Sequence, residues 1–400
     1  MSKLTKLMTN PKGFLMDAVD KRFPQIRTGR LLKAAQEDAR DPALLVSFSN
    51  WKTWMTDVLP ENHVCFLGHS PRVAPAMLNL IPKFKNATVY AWSYKWPEEL
   101  ENICRKNNIE LIFTEDGFIR SVGLGTNKSR PMSLVYDKKA MHFDRDKISE
   151  LDDILNHHSF TESELDAADQ VCAAIKTGLT KYISQSQGRS LKTELGIDDN
   201  KPVVLVLGQV EDDYSIKHGM EHFMTANDLV AKVALENPDA HILYRPHPES
   251  IAVRKKHYSN PQDVAHLCHI VTPEWSLKET FDAADEAHTM TSLTGLEAAV
   301  NGLKVHTYGM PFYSGWGFTT DHGLAKTPGK RMRSLSLKEV VAGAYVCYSK
   351  YYHPVTGAPI NVLEALDMAD RLRGHMKRVS QAKETVQRLV EENETNETSA

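Results

Sequence analysis

Lys201-Pro-Val-Val-Leu-Val-Leu-Gly208 is a continuous valine and leucine run bounded by a proline and a glycine. With no polar residue alternating through it, the run has the pattern of a parallel strand buried on both faces. Downstream, Ala240-His-Ile-Leu-Tyr244, Ala287-His-Thr-Met290 and Lys304-Val-His-Thr-Tyr308 are further strand candidates separated by helical stretches. Upstream, Val64-Cys-Phe-Leu-Gly68 (turning at Gly68-His69-Ser70), Ala87-Thr-Val-Tyr-Ala91 and Ile109-Glu-Leu-Ile-Phe-Thr114 repeat the rhythm, with a helix over Leu100 to Asn108. Strands alternating with helices imply parallel βαβ units, whose ligands sit at the carboxyl ends of the strands.

At 400 residues the chain exceeds what one core usually serves. The expected fold class is α/β, with two Rossmann-like domains facing a cleft, the architecture called GT-B in sugar-nucleotide glycosyltransferases. Residues 1–195 form the expected N-terminal domain with helical extensions, 196–378 the second, and 379–400 a polar tail. Within this division the first sixty residues read as mixed helix and loop, and Asp146 to Leu195 as helical. Gln185 to Ser190 reads as a linker, the part after Leu337 as helices, and Glu391 to Ala400 as a disordered tail. A two-domain dehydrogenase or a periplasmic-type binding protein has the same element pattern, and fold alone fixes no chemistry. Neither a GxGxxG after the first strand nor a Walker loop occurs, which counts against dinucleotide and ATPase readings.

Hydrophobic residues make up 42% and charged residues 25%, with a formal net charge of -3, so no polybasic signature points to nucleic acid. Cys65, Cys104, Cys172, Cys268 and Cys347 are far apart with no CxxC pair, which argues against a zinc site or disulfide framework and fits a reducing cytoplasm. Asn10, Pro11 and Lys12 precede any long apolar run. The expectation is therefore neither a signal peptide nor a spanning helix, and only peripheral membrane contact.

Four strand-end segments carry polar residues that a plain connector does not need. In Thr114-Glu115-Asp116-Gly117-Phe118-Ile119-Arg120-Ser121, the paired carboxylates fit either a capping turn or general acid–base work. In Gly208-Gln209-Val210-Glu211-Asp212-Asp213-Tyr214-Ser215, three successive carboxylates either form a solvated loop or repel one another at a ligand site. In Tyr244-Arg245-Pro246-His247-Pro248-Glu249, Arg245 can fork onto a phosphate and His247 can donate to one. In the fourth, Thr291, Ser292 and Thr294 can cap a helix running past Gly295 to Val300. Its free N–H groups could take a phosphate, and Glu297 one turn in could hold a ribose diol. Finally, Tyr308-Gly-Met-Pro-Phe-Tyr313-Ser-Gly-Trp316-Gly317 suits a planar base or sugar face, or else packs in the core.

These segments resemble the capsule polysaccharide β-Kdo transferases of the KpsC type. The resemblance is carried by Gln209-Val-Glu-Asp-Asp213-x-Ser215, Arg245-Pro-His-Pro248, His288-Thr-Met-Thr-Ser-Leu-Thr-Gly295, Tyr308 to Gly317, and Glu115-Asp-Gly-Phe-Ile-Arg-Ser121 followed by Ser133-Leu-Val135 and Asp137. It runs from about Gly68 to Leu366. Members of that family often carry two transferase modules, whereas this chain has room for one and is expected to make one linkage. The resemblance implies CMP-Kdo as donor, retention of configuration, a saccharide or glycolipid acceptor, and no metal or cofactor. It also implies work beside capsule-assembly proteins at the inner face of the inner membrane.

On this reading Asp213 is the nucleophile, with Glu211 and Asp212 in reserve, and Glu115 or Asp116 deprotonates the acceptor. Adjacent strand residues point to opposite faces, so only one of the last pair should reach the cleft. Gln209, Ser215, Arg245, His247, Pro248, Ser292, Thr294, Gly295, Glu297, Tyr313 and Trp316 form the expected donor site. Two rival readings are an inverting GT-B transferase, which needs one base and no adduct, and a non-catalytic polysaccharide-assembly protein.

Overall fold

The computed structural model describes residues 24–49, 51–68, 78–96, 99–120, 130–179, 188–198, 200–248, 250, 259–324, 327–375 and 378. The expectations placed on 1–23, His69-Ser70, Ser121, 185–187, Glu249 and the tail 379–400 lie outside these residues. Among the described residues thirteen strands make two sheets. They are β1 (Pro42–Val46), β2 (His63–Gly68), β3 (Thr88–Trp92), β4 (Glu110–Asp116), β5 (Ser133–Asp137), β6 (Val203–Leu207) and β7 (His241–Arg245), followed by β8 (His269–Ile270), β9 (Glu286–Thr289), β10 (Lys304–Thr307), β11 (Thr319–Asp321), β12 (Lys350–Tyr352) and β13 (Pro359–Ile360).

The second sheet runs β11-β10-β9-β6-β7-β8, and every pairing in it is parallel. The valine and leucine run is one of its two central strands, with all five residues buried. Its register aligns Leu207 with Arg245 on one side and with Thr289 on the other. The ends of β6, β7 and β9 therefore lie at one level, as an α/β ligand site requires. The first sheet runs β13-β12-β5-β4-β3-β1-β2; β2, β1, β3 and β4 are parallel, while β5, β12 and β13 add antiparallel pairs. The α/β class and its two-sheet layout are as expected.

Two local readings are corrected. The first sixty residues contain β1, all five residues of it buried between β2 and β3. A short apolar run carries too little periodicity to be told from a helix segment. The part after Leu337 is not all helix: β12 pairs with β5, and β13 with β12. Residues 350–360 thus complete the first sheet, although sequence order places them with the second.

One continuous apolar cluster includes Leu44 and Val89 of the first sheet and Val203 and Leu243 of the second. Phe118, just after β4, packs 4.8 Å from Phe312 and 5.3 Å from Tyr345, ring to ring. Beside this cluster the helix Glu150–His157 is clamped to residues 329–333. Asn156 donates to the Gly329 carbonyl (2.8 Å), and Arg333 donates to those of Leu155 (2.8 Å) and His158 (2.7 Å). At the centre Asp152, 1% exposed, pairs with Lys330 Nζ (2.8 Å) and Arg331 Nη1 (2.5 Å) and accepts from Ser149 Oγ (2.7 Å). Burial alone works against its ionisation, but Arg331 and then Lys330 outweigh it and hold its pKa below the ordinary value.

Because the folded-state pKa is depressed, this contribution to stability is present above the unfolded pKa and is lost as pH falls. Asp152→Ala leaves two buried cations without their counter-charge and is expected to cost about 3–5 kcal/mol, read as a lowered urea midpoint at neutral pH. An unchanged midpoint would show that the clamp does not hold the fold.

Candidate active site

The first half of the site is built on the carboxyl ends of β1, β3 and β4. Gly117 follows β4 where the chain passes close over β5: its N–H donates to the Ser133 carbonyl (2.9 Å), and a Cβ there would lie 2.3 Å from Ser133 Oγ. That close turn leaves Glu115 and Asp116 at the strand end. Asp116 Oδ2 accepts from Arg120 Nε at 2.6 Å, and Oδ1 lies 3.9 Å from Lys52 Nζ. Glu115 Oε1 accepts from the Asp116 N–H at 3.0 Å. Loss of solvation and then the Asp116 charge push the Glu115 carboxyl above its ordinary pKa, against the pull of Lys52 and Lys95.

Lys52 itself is buried, with its ammonium 2.9 Å from the Trp92 ring centroid and Trp51 and Trp54 beyond it. Burial lowers its pKa to about 8, against Asp116 and Glu115. Of the pair, Asp116 is thus the counter-ion of Arg120, and Glu115 is the carboxyl whose pKa is raised.

The second half lies at the end of β6. Gly208 has the Pro246 backbone against it, where a Cβ would meet Cα at 2.9 Å. A hydrogen-bonded chain then runs across the strand ends. The Gln209 amide binds Thr291 through Nε2 to Oγ1 (2.9 Å) and through Oε1 from the Thr291 N–H (3.2 Å), and its Nε2 also donates to Ser215 Oγ (2.8 Å). Ser215 in turn donates from Oγ and from N–H to Asp213 Oδ1, both at 2.8 Å. Asp213 is exposed and is the N-cap of the helix Tyr214–Gly219. Both of those bonds fall on Oδ1, and among the described residues no hydrogen bond reaches Oδ2.

The two halves meet. Lys95 Nζ, whose charge acts on Glu115, is 5.8 Å from the Tyr214 ring centroid. Tyr94 packs 4.8 Å from His218, and the Arg145 N–H donates to the His218 carbonyl (2.9 Å).

Other expected site residues have different surroundings. Glu211 is buried and accepts from the Ala226 N–H (2.9 Å), the Ser259 N–H (3.0 Å) and Ser259 Oγ, so it fastens a loop. Asp212 is exposed. Gln209 and Ser215 orient Asp213 within the chain of bonds described above. Arg245 donates from Nη1 to Thr280 Oγ1 (2.9 Å), and burial lowers its pKa to about 10, which leaves it charged at neutral pH. His247 and Pro248 are half-buried beside it.

The expected donor-binding helix and aromatic loop make other local contacts. The N-cap of the helix Thr294–Val300 is Leu293, with no side-chain cap, because Thr291 is engaged by Gln209. Ser292 Oγ accepts from the Thr294 N–H instead, at 3.2 Å. Gly295 is buried, and a Cβ there would meet the Tyr313 hydroxyl at 2.2 Å, so it is a packing glycine. Glu297 is 2% exposed, beside the Tyr313 and Tyr345 phenols, whose pKa burial and then the Glu297 charge raise. Tyr313 and Trp316 are both 0% exposed, donating to the carbonyls of Ser292 and Phe312, so neither can stack on a ligand.

Sequence reasoning missed Lys52, Lys95 and Tyr94. For Lys52 a signal existed, since a cation set in Trp51-Lys-Thr-Trp54 has the composition of a cation–π site. No described helix is long and apolar enough to cross a membrane.

Residues 88–351 match the family model described as capsule polysaccharide biosynthesis protein. The capsule polysaccharide modification protein LipA of Neisseria meningitidis is 33% identical over 373 residues, covering 92% of this chain and 50% of LipA. The lipopolysaccharide-processing protein LpsZ of Rhizobium meliloti is 33% identical over 350 residues, covering 86% of this chain and 78% of LpsZ. The chain therefore spans half the length of LipA. Among solved structures, the KpsC β-Kdo 2,7 transferase of Thermosulfurimonas dismutans is 30% identical with a TM-score of 0.64, covering 84% of this chain and 100% of that one. The β-Kdo 2,4 transferase of the same KpsC is 26% identical with a TM-score of 0.66, covering 84% and 99%.

Proposed function

We propose, from the premise that the chain belongs to the capsule polysaccharide biosynthesis protein family, that it is a retaining glycosyltransferase moving β-Kdo from CMP-Kdo to a saccharide or glycolipid acceptor. The observation that carries this reading is the pair of carboxylates, Glu115 at the end of β4 and Asp213 at the start of the helix after β6, with Lys95 acting on Glu115 and lying 5.8 Å from the ring of Tyr214, the neighbour of Asp213. Retention by double displacement needs two such groups, one as nucleophile and one as acid–base. The likeness to KpsC β-Kdo transferases supports the choice of sugar.

In the first step Asp213 Oδ2 attacks the ketosidic carbon, and the bond to the phosphate oxygen breaks with its electron pair leaving on CMP. Ser215, bonded twice to Oδ1, aims the carboxylate. Arg245 has four N–H groups beyond the one bound to Thr280, and with His247 it meets the charge on the departing phosphate. In the second step the acceptor hydroxyl loses its proton to Glu115 and attacks the same carbon, and Asp213 leaves as carboxylate. Two inversions restore the β configuration. Needing a cytoplasmic nucleotide sugar, the protein works at the inner face of the inner membrane beside capsule-assembly proteins.

The test is a panel of Kdo-terminated saccharides and glycolipids offered with CMP-Kdo. Acceptor-dependent CMP release and a β-linked Kdo in the product are expected. An α-linked product would replace the double displacement with an inverting route. No CMP release with any acceptor would favour a non-catalytic assembly protein.

A further inference from the structure

Away from the cleft, β9 and β10 bring three imidazole and carboxylate side chains together on one face of the second sheet. His288 and His306 are register partners on adjacent parallel strands, and Glu286 lies two residues before His288 on the same face of β9. His288 Nε2 is 3.2 Å from Glu286 Oε1, and His306 Nε2 is 3.8 Å from Glu286 Oε2. All three ligand-type atoms lie within 4.8 Å of one another. A tetrahedral ion with bonds of about 2.0–2.1 Å holds its ligand atoms roughly 3.4 Å apart, which falls between those two spacings.

The second ring nitrogens behind these atoms are held as well. His288 Nδ1 is 3.1 Å from the Tyr308 hydroxyl, while its Nε2 is directed at the Glu286 carboxylate. On the neighbouring strand His306 Nδ1 is 3.2 Å from His322 Nε2, which provides the same kind of backing. A metal-ligating histidine ordinarily has its second nitrogen held in this way.

We propose that Glu286, His288 and His306 form a binding site for a borderline divalent ion of the zinc class, with Tyr308 and His322 orienting the two imidazoles. Imidazole and carboxylate donors at this spacing suit zinc, whereas magnesium demands oxygen donors. The two rings lie 4.3 Å apart and tilt by only 7°, so in-plane coordination by both requires each to turn about χ2, a broad torsion for histidine. The ion would clamp β9 to β10 just below Thr289 and Thr291, behind the chain of bonds that orients Asp213. The site is independent of the proposed group transfer.

The experiment uses untagged full-length protein, stripped with chelator and titrated with Zn²⁺ by calorimetry, with Mg²⁺ in parallel. One Zn²⁺ per chain is expected, together with a raised melting temperature and no saturable Mg²⁺ binding. Glu286→Gln and His306→Gln each weaken Zn²⁺ binding by at least about 100-fold, and Tyr308→Phe by about 10-fold. Circular dichroism matched to the parent checks that each variant is folded. Among the described residues the other close group of metal-type side chains is His158, Glu164 and Cys347, so Cys347→Ser is expected to leave binding unchanged. The absence of saturable Zn²⁺ binding to the parent overturns the proposal. So does binding that survives Glu286→Gln but is lost in Cys347→Ser.

Discussion

Asp213→Asn is expected to lower CMP-Kdo turnover by a factor on the order of 10⁴ or more, the scale seen when a nucleophile is removed from a site that keeps its binding groups. The substitution is chosen because the fold should not register it. Asparagine caps a helix as well as aspartate does, and its Oδ1 can still accept from Ser215 N–H and Oγ as Asp213 does now. What disappears is the charge on Oδ2. Intact-mass measurement of the parent with CMP-Kdo and no acceptor is expected to show one added Kdo residue, and the variant none.

Two neighbouring variants sharpen the assignment. Glu211→Gln disturbs the acceptor for the Ala226 and Ser259 N–H groups, so it is expected to lower the melting temperature while the adduct still forms. Asp212→Asn, at an exposed position, is expected to do neither. Undiminished turnover in Asp213→Asn would remove it as nucleophile.

Much of this frame was readable because its signals are local. The Lys201–Gly208 run gave its strand through composition alone, and the strand ends then marked where Glu115, Asp213 and Arg245 would lie. What escaped depends on contacts between residues far apart in sequence. Lys52, which follows β1, reaches Asp116 only because β3 joins β1 to β4, a pairing invisible in a five-residue apolar segment. Burial was the other blind spot. Tyr313 and Trp316 sit in a stretch whose glycines and aromatics fit a sugar platform as well as a core, and Glu297 sits one turn into a helix start that fits a phosphate and ribose site as well as simple capping. Only the packing of Phe312 on Phe118 and of Gly295 under Tyr313 decides for the core. Similarly, Thr291 had the chemistry of a cap but is held by Gln209, a residue of another strand end.

Glu115→Gln separates the two half-reactions. If Glu115 takes the acceptor proton, its loss leaves the first step intact and slows the second by about 10²–10⁴-fold. The variant should then release one equivalent of CMP per chain and stop, with the Kdo adduct persisting even when acceptor is present.

The pH profile carries an independent sign. Burial and the Asp116 charge raise the Glu115 pKa, and the base must be ionised. Parent activity therefore declines on the acid side at a higher pH than an ordinary carboxylate would give. Lys52 pulls that pKa down, so Lys52→Met moves the acid limb to higher pH, and Asp116→Asn moves it to lower pH.

Stability moves the other way from activity. A carboxyl whose folded-state pKa is raised contributes stability that is full below its unfolded pKa and is lost as pH rises through the folded one. Above that range Glu115→Gln should therefore melt no lower than the parent, which distinguishes a lost base from a damaged fold. Normal turnover in Glu115→Gln, with no adduct trapped, would transfer the proton to Asp116 and require Arg120 to release that carboxylate during the reaction.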